Sequence, residues 1–273
     1  MSSPESSAQR NRGAAGPTAA DQPALLHPPR LDMQSFRGFR PQALAYLRAL
    51  RKNNRRDWFE ARRDEFVREI SDPMKALIEE LDVRFASLAP EFVGDPRRSM
   101  FRIYRDVRFS RDKSPYKTHA ALWIYHRAPG RGVGKEIDGG AGFYVHLEPG
   151  ASLVAAGLWM PPRPSLAKVR AHFSEDLAGW RRAVTAPAVL RRFGGLVDDE
   201  DGVLLKRLPR GFDEGHPAEP WLRFNSFTMH RPYPDADMLS PKLVDRVMKD
   251  FALLVPLCRW LNRALGYLPA GSR

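Results

Sequence analysis

Eight Lys and Arg side chains and two Asp fall within residues 97 to 119, a local charge of +6 in a 273-residue chain whose net charge is +12. Six of the cations (Arg102, Arg105, Arg108, Arg111, Lys113 and Lys117) belong to the run RIYRDVRFSRDKSPYKTH at 102 to 119. The planar guanidinium fork matches two oxygens of a phosphate or carboxylate at once. Ser110, Ser114 and Thr118 add hydroxyl donors, and Pro115 stiffens a turn that holds the cations in place. Asp106 and Asp112 can each pair with one arginine, which leaves about four cations without a local partner. The chemistry expected is anion binding, with Arg102, Arg105, Asp106, Arg108, Arg111, Lys113, Tyr116 and Lys117 as the ligand-binding residues. A second cluster, Lys206-Arg207-Leu208-Pro209-Arg210-Gly211, repeats the grammar of cations beside a rigid proline and offers Arg210 as an opposing wall.

Acid–base chemistry would fall to His119, His146 and Tyr116, with Tyr144 and Asp106 nearby, because imidazole titrates near neutral pH. No metal is expected: there is no H-E-x-x-H, no cysteine pair and no His-x-His, so His119, His126 and His146 meet only if the tertiary fold brings them together. Walker and Rossmann glycine patterns are absent, and GRGVGKE at 130 to 136 lacks the G-K-[ST] ending, so no cofactor is expected.

The elements that must position these groups follow from periodicity. Residues 1 to 35 are rich in Ser, Ala, Pro and Gly without apolar rhythm and read as a disordered tail, as do 269 to 273 at the other end. A domain over 36 to 268 opens with helices: one after Pro41, one from about Asp57, and one from Asp72-Pro73 to Pro90. Period two then takes over, with strands over 100 to 105, 120 to 126, 143 to 147 and 152 to 160. The last two form a hairpin on Pro149-Gly150. Residues 127 to 140, with five Gly, read as a flexible loop. Helices return from Ser165, further strands are expected over 203 to 206 and 221 to 230, and a long helix follows Ser240-Pro241, kinked at Pro256. This order predicts an α+β fold, a single domain whose mainly antiparallel sheet is flanked by N-terminal and C-terminal helices.

The segments FRGF (36–39), NNRRDWF (53–59), RIYRDVRFSRDKSPYKTH (102–119), GFYVHLEPG (142–150), GLWMPP (157–162) and LKRLPRGF (205–212), with His216-Pro217, resemble a bacterial and fungal family of uncharacterised proteins, domain of unknown function 2461. The resemblance covers about residues 36 to 230. It implies a single globular domain and brings no activity or catalytic residue with it.

Three function classes fit the charge. A basic pocket for a small phosphorylated or carboxylated ligand, in an enzyme or a binding domain, needs the cations to converge on a concavity. A nucleic-acid binder needs them spread over a face with Trp123, Tyr125 or Phe109 free to stack. A structural or adaptor module needs the arginines paired with helix carboxylates such as Glu79, Glu80 or Asp82. Cys258 lies among apolar helical neighbours and reads as a core residue. One cysteine, no secretory signal and no apolar run long enough for a membrane span suit the cytoplasm.

Overall fold

The computed structural model describes residues 36–108, 110–129, 139–269 and 271. The tail over 1 to 35, most of 269 to 273, the glycine-rich 130 to 138 and Phe109 lie outside the described residues. Helix α1 (Pro41–Lys52) begins with its proline in the first turn and buries Leu44, Leu47 and Leu50. Short helices α2 (Arg56–Glu60) and α3 (Arg63–Phe66) follow. A π-helical turn over Val67–Ser71 then runs directly into α4 (Asp72–Leu88).

This corrects the expected break at Asp72-Pro73. Asp72 has helical dihedrals and caps nothing, and its N–H reaches back five residues to the Val67 carbonyl. Pro73 has no N–H and its ring would crowd the Glu69 carbonyl, and a widened turn accommodates both while the helix continues.

Five antiparallel strands form one sheet in sequence order: β1 (Phe92–Val93), β2 (Ala120–His126), β3 (Gly142–Leu147), β4 (Leu153–Leu158) and β5 (Phe227–Pro232). Helices α5 (Arg163–Thr185) and α6 (Pro187–Phe193) come between β4 and β5. The short α7 (Glu219–Leu222) precedes β5, and α8 (Asp235–Met238) and α9 (Leu243–Leu265) close the domain. The fold is α+β in a single domain, with helices at both ends. Among the described residues, no helix is long and apolar enough to cross a membrane.

The pleat assigns each strand residue to a face. Leu122, Ile124, Phe143, Val145, Val154, Ala156, Phe227 and Met229 point into the core, where α9 packs on α5 and β4 and α4 packs on β1 and β2. Buried polar groups tie the helices to the sheet. Asp250 of α9 accepts from Tyr233 at 2.6 Å, from Arg231 at 3.0 Å and from Arg192 of α6 at 2.5 Å. Glu91, beside β1, takes two bonds from Arg259 of α9, at 2.6 and 3.3 Å. The Asn262 side chain exchanges two hydrogen bonds with the Ala141 backbone, at 2.9 and 3.1 Å, fixing the chain where β3 begins.

Two expected strands reduce to isolated bridges. Segment 100 to 105 touches the sheet at Met100↔Leu122 and pairs with its own continuation at Tyr104↔Tyr116. Residues 203 to 206 and 221 to 226 share one bridge, Leu204↔Phe224, because Pro220 starts a helical turn in α7 and the strand begins only at Phe227. Helix α9 continues through Pro256, whose ring and the Ala252 carbonyl it deprives of a partner both lie on exposed residues that water reaches.

Candidate functional site

The sheet face turned away from the core is hollow. A cavity of about 480 Å³ opens on it, inside the roughly 300–1,000 Å³ range of small-molecule pockets. Its walls are Phe101, Trp123, Tyr125, Tyr144, Ala155, Leu158, Trp159 and Met160; Lys117, His119, Glu200, Thr228 and His230 supply the polar groups. Strands β2 to β5 contribute through alternate positions: Trp123 and Tyr125 from β2, Tyr144 from β3, Leu153 and Ala155 from β4, Thr228 and His230 from β5.

Two glycines make room for these walls. A Cβ on Gly142 would stand 2.8 Å from the Trp123 ring, so the indole lies against bare backbone. Gly157 has φ +131° and a Cβ there would meet the Phe227 carbonyl at 2.0 Å, so only glycine lets β4 approach β5 this closely before the rim. The rim itself is unusual: Trp159 is 65% exposed and Met160 holds φ +39°, rare for a residue with a side chain.

One end of the face is polar. Tyr144, His146 and Glu148 occupy alternate positions along and just past β3, and the β2–β3 register sets His119 beside them. The Tyr144 hydroxyl lies 2.9 Å from His146 Nδ1, and His146 Nε2 lies 2.9 Å from Glu148 Oε2. An ionised carboxylate only accepts, so Nε2 carries the proton and Nδ1 accepts from Tyr144. Arg51 of α1 donates to the other oxygen of Glu148. The His119 and His146 rings lie 4.3 Å apart between centroids. Ligand atoms of His119, His146 and Glu148 all fall within 4.8 Å of one another.

Burial pushes the His119 imidazole down to about 4, with His146 and Lys117 adding to it and Glu148 opposing. His119 is therefore neutral at pH 7. Burial, reinforced by Glu148, raises the Tyr144 phenol to about 12, which keeps it a donor.

The residues singled out from sequence divide between this face and the surface. Lys117 and His119 line the pocket, and the Lys117 ammonium stands 5.3 Å from the Phe101 ring centroid. His146 adjoins it. Asp106 and Asp112 each hold one arginine, as their spacing suggested: Asp106 takes a bidentate pair from Arg108, and Asp112 pairs with Arg105. The Arg108 pair holds the Asp106 carboxyl down at about 2, and the Ser114 hydroxyl with Arg105 holds that of Asp112 lower still. Lys113 donates to the Val107 carbonyl at 2.9 Å. Arg102, Arg111 and Arg210 are exposed and make no ion pair among the described residues.

Tyr116 is buried, stacked on Phe59 with centroids 4.2 Å apart. Its backbone N–H and C=O bond the Asn54 side chain at 3.0 and 2.9 Å, a two-bond latch that pins the charged stretch to the turn after α1. The helix carboxylates expected to neutralise the stretch serve elsewhere: Asp82 accepts the Gly94 N–H and Glu80 accepts Arg84. Trp123 and Tyr125, weighed as stacking residues for nucleic acid, line the concave pocket. Trp159, Thr228 and His230 were missed. The segment GLWMPP was legible as a motif, but nothing in it shows that its tryptophan turns outward.

The model of one family, described as "Conserved hypothetical protein (DUF2461)", matches residues 42–260. No curated protein and no solved structure matches the chain.

Proposed function

The chain belongs to this DUF2461 family, whose description assigns no activity, and we propose from the site's own geometry that it binds a small molecule with a planar apolar body and an acidic group. The observation that carries the reading is the aromatic hollow, with Lys117 and His119 on its β2 side and His230 on its β5 side. Phe101, Trp123, Tyr144 and Trp159 offer faces and edges to a flat ligand. Lys117 supplies a point charge for a phosphate or carboxylate, and imidazoles supply further hydrogen bonds. Trp159, 65% exposed on the cavity wall, leaves an indole face open to such a ligand. The polar end also holds a hydrogen-bonded chain from Tyr144 through His146 to Glu148, which fixes the orientation of these groups beside the pocket. The cations at 102 to 113 then act on the ligand from a distance, by attracting anions to the pocket's neighbourhood. The single buried Cys258 suits a reducing compartment such as the cytoplasm.

The test is a thermal-shift screen with aromatic carboxylates, nucleotides, sugar phosphates and short DNA. A ligand that binds only the folded chain raises the melting temperature with concentration. The expected result is stabilisation by an aromatic acid or nucleotide that Trp123→Ala reduces. Stabilisation by DNA alone, unchanged in Trp123→Ala, would replace the pocket reading with a nucleic-acid surface.

A further inference from the structure

We infer that His119, His146 and Glu148 bind a divalent transition-metal ion at the polar end of the pocket. The inference deepens the pocket reading, on which it rests for what the ion's open positions face. Three features support it.

The first is the donor set. Two imidazoles and one carboxylate at the paired ends of β2 and β3 are the ligand types that zinc and its neighbours take, with positions left over for water or substrate. The ligand atoms lie within 4.8 Å of one another. Donors around an ion at about 2.1 Å stand roughly 3–4 Å apart, so ring rotation of about an ångström closes the set.

The second is the ring of outer partners. Arg51 occupies the far oxygen of Glu148 and leaves Oε2 facing inward. Tyr144 occupies Nδ1 of His146 and leaves Nε2 facing the same point. Metal-bound imidazoles are usually held in this way, with the second nitrogen tied to a fixed group that sets the tautomer. When the ion takes Nε2, the His146 proton moves to Nδ1, and the Tyr144 hydroxyl turns from donor to acceptor. No net proton is released from the His146–Tyr144 pair, because a hydroxyl serves both ways.

The third is space. Ala121 stands opposite His146 in the register, on the same face. Its methyl is the smallest side chain that the strand could set beside His146 other than a hydrogen. His119 belongs both to the trio and to the cavity wall, so the ion's open side faces the pocket. An acidic ligand group reaching Lys117 would meet the ion as well.

The test uses the whole chain, stripped with a chelator and titrated calorimetrically with Zn²⁺ and separately with Co²⁺, whose visible absorption reports its ligands. The expected result is one ion per chain, with loss of that site in His119→Ala and in Glu148→Gln. Circular dichroism checks that both remain folded, and His119→Gln replaces the alanine variant if it does not. Tyr144→Phe keeps the site but weakens it by about 10- to 100-fold, the usual effect of removing an outer partner. Absence of a stoichiometric ion in the wild type, or unchanged binding in the His119 and Glu148 variants, overturns the inference. Ion binding is read without any small molecule. An ion bound by a chain that takes no ligand in the screen therefore sustains this inference while the pocket reading falls. A ligand bound by a chain that takes no ion does the reverse.

Discussion

Asp106 and Arg108 stand two residues apart, and so do His146 and Glu148. The first pair lies in a loop and largely in water, with side chains 58% and 76% exposed. The second lies along and just past β3, 12% and 21% exposed, and its members turn to further partners: Tyr144 on one side, Arg51 on another, His119 across the sheet. The same spacing therefore means different things. In a loop it lets opposite charges satisfy one another locally, which screening makes nearly neutral for stability. On a strand the pleat aims both groups at one face, and the register of the next strand decides what they meet. Charge density marks the exposed stretch, while convergence marks the pocket.

The largest test of that contrast lies inside the charged stretch. Tyr116→Ala should cost about 3 kcal/mol in a urea titration, because the ring is stacked and buried on Phe59. A near-neutral result with ligand binding lost would make the stretch part of the site. Next in size, Trp123→Ala should weaken the pocket ligand by about tenfold, roughly 1–2 kcal/mol, with the fold intact. Calorimetric binding to the variant checks it, and equal affinities would detach the aromatic wall from function.

Acid separates a third pair from the first. Burial favours the neutral Glu91 carboxyl, yet Arg259 outweighs it and leaves the group below its ordinary 4.5. His126, close by, is lowered from 6.5 by burial. A depressed folded value stabilises above the unfolded value and loses that contribution as pH falls through the folded one. Stability should thus decline below about pH 6.5 as His126 is forced to charge, and again below 4.5 as Glu91 protonates. Unfolding free energies at stepped pH should show Glu91→Gln flattening the lower limb, and Asp106→Asn, whose carboxylate is solvated, changing it less. A reversed order would mean that the exposed pair matters more than the buried one.

The smallest effect is expected for Arg108→Ala. Its midpoint of unfolding and its ligand affinity should both match the wild type within error. A loss of affinity would return the anion site to the charged stretch and end the comparison.

Much of the architecture was legible. The alternation of Phe143, Val145 and Leu147 with Tyr144, His146 and Glu148 gave β3 and its polar face at once, because a half-buried strand must alternate. Pro41 and the Leu44–Leu47–Leu50 spacing gave α1. What failed was local competition: Pro73 was read as a restart, whereas a π turn absorbs it, and Pro220 takes residues meant for a strand into α7. The site was half legible. His119, His146 and Lys117 were named, but the run of arginines drew the expectation toward surface ion pairs. No sequence spacing links His119 to Glu148, or Trp123 to Trp159 and His230; only strand register does.

The Asn54 latch has a dynamic consequence. Tyr116 directly precedes Lys117, and its amide is held by a side chain from the turn after α1. That hydrogen exchanges with solvent only when the latch opens. The Lys117 amide beside it is held by the Ile103 carbonyl at 2.7 Å, so the turn and the pocket edge are tied through adjacent bonds and open as one cooperative unit. Whatever restrains Lys117 from within the pocket must slow deuterium uptake at Tyr116, and an amide that touches no ligand becomes a gauge of occupancy.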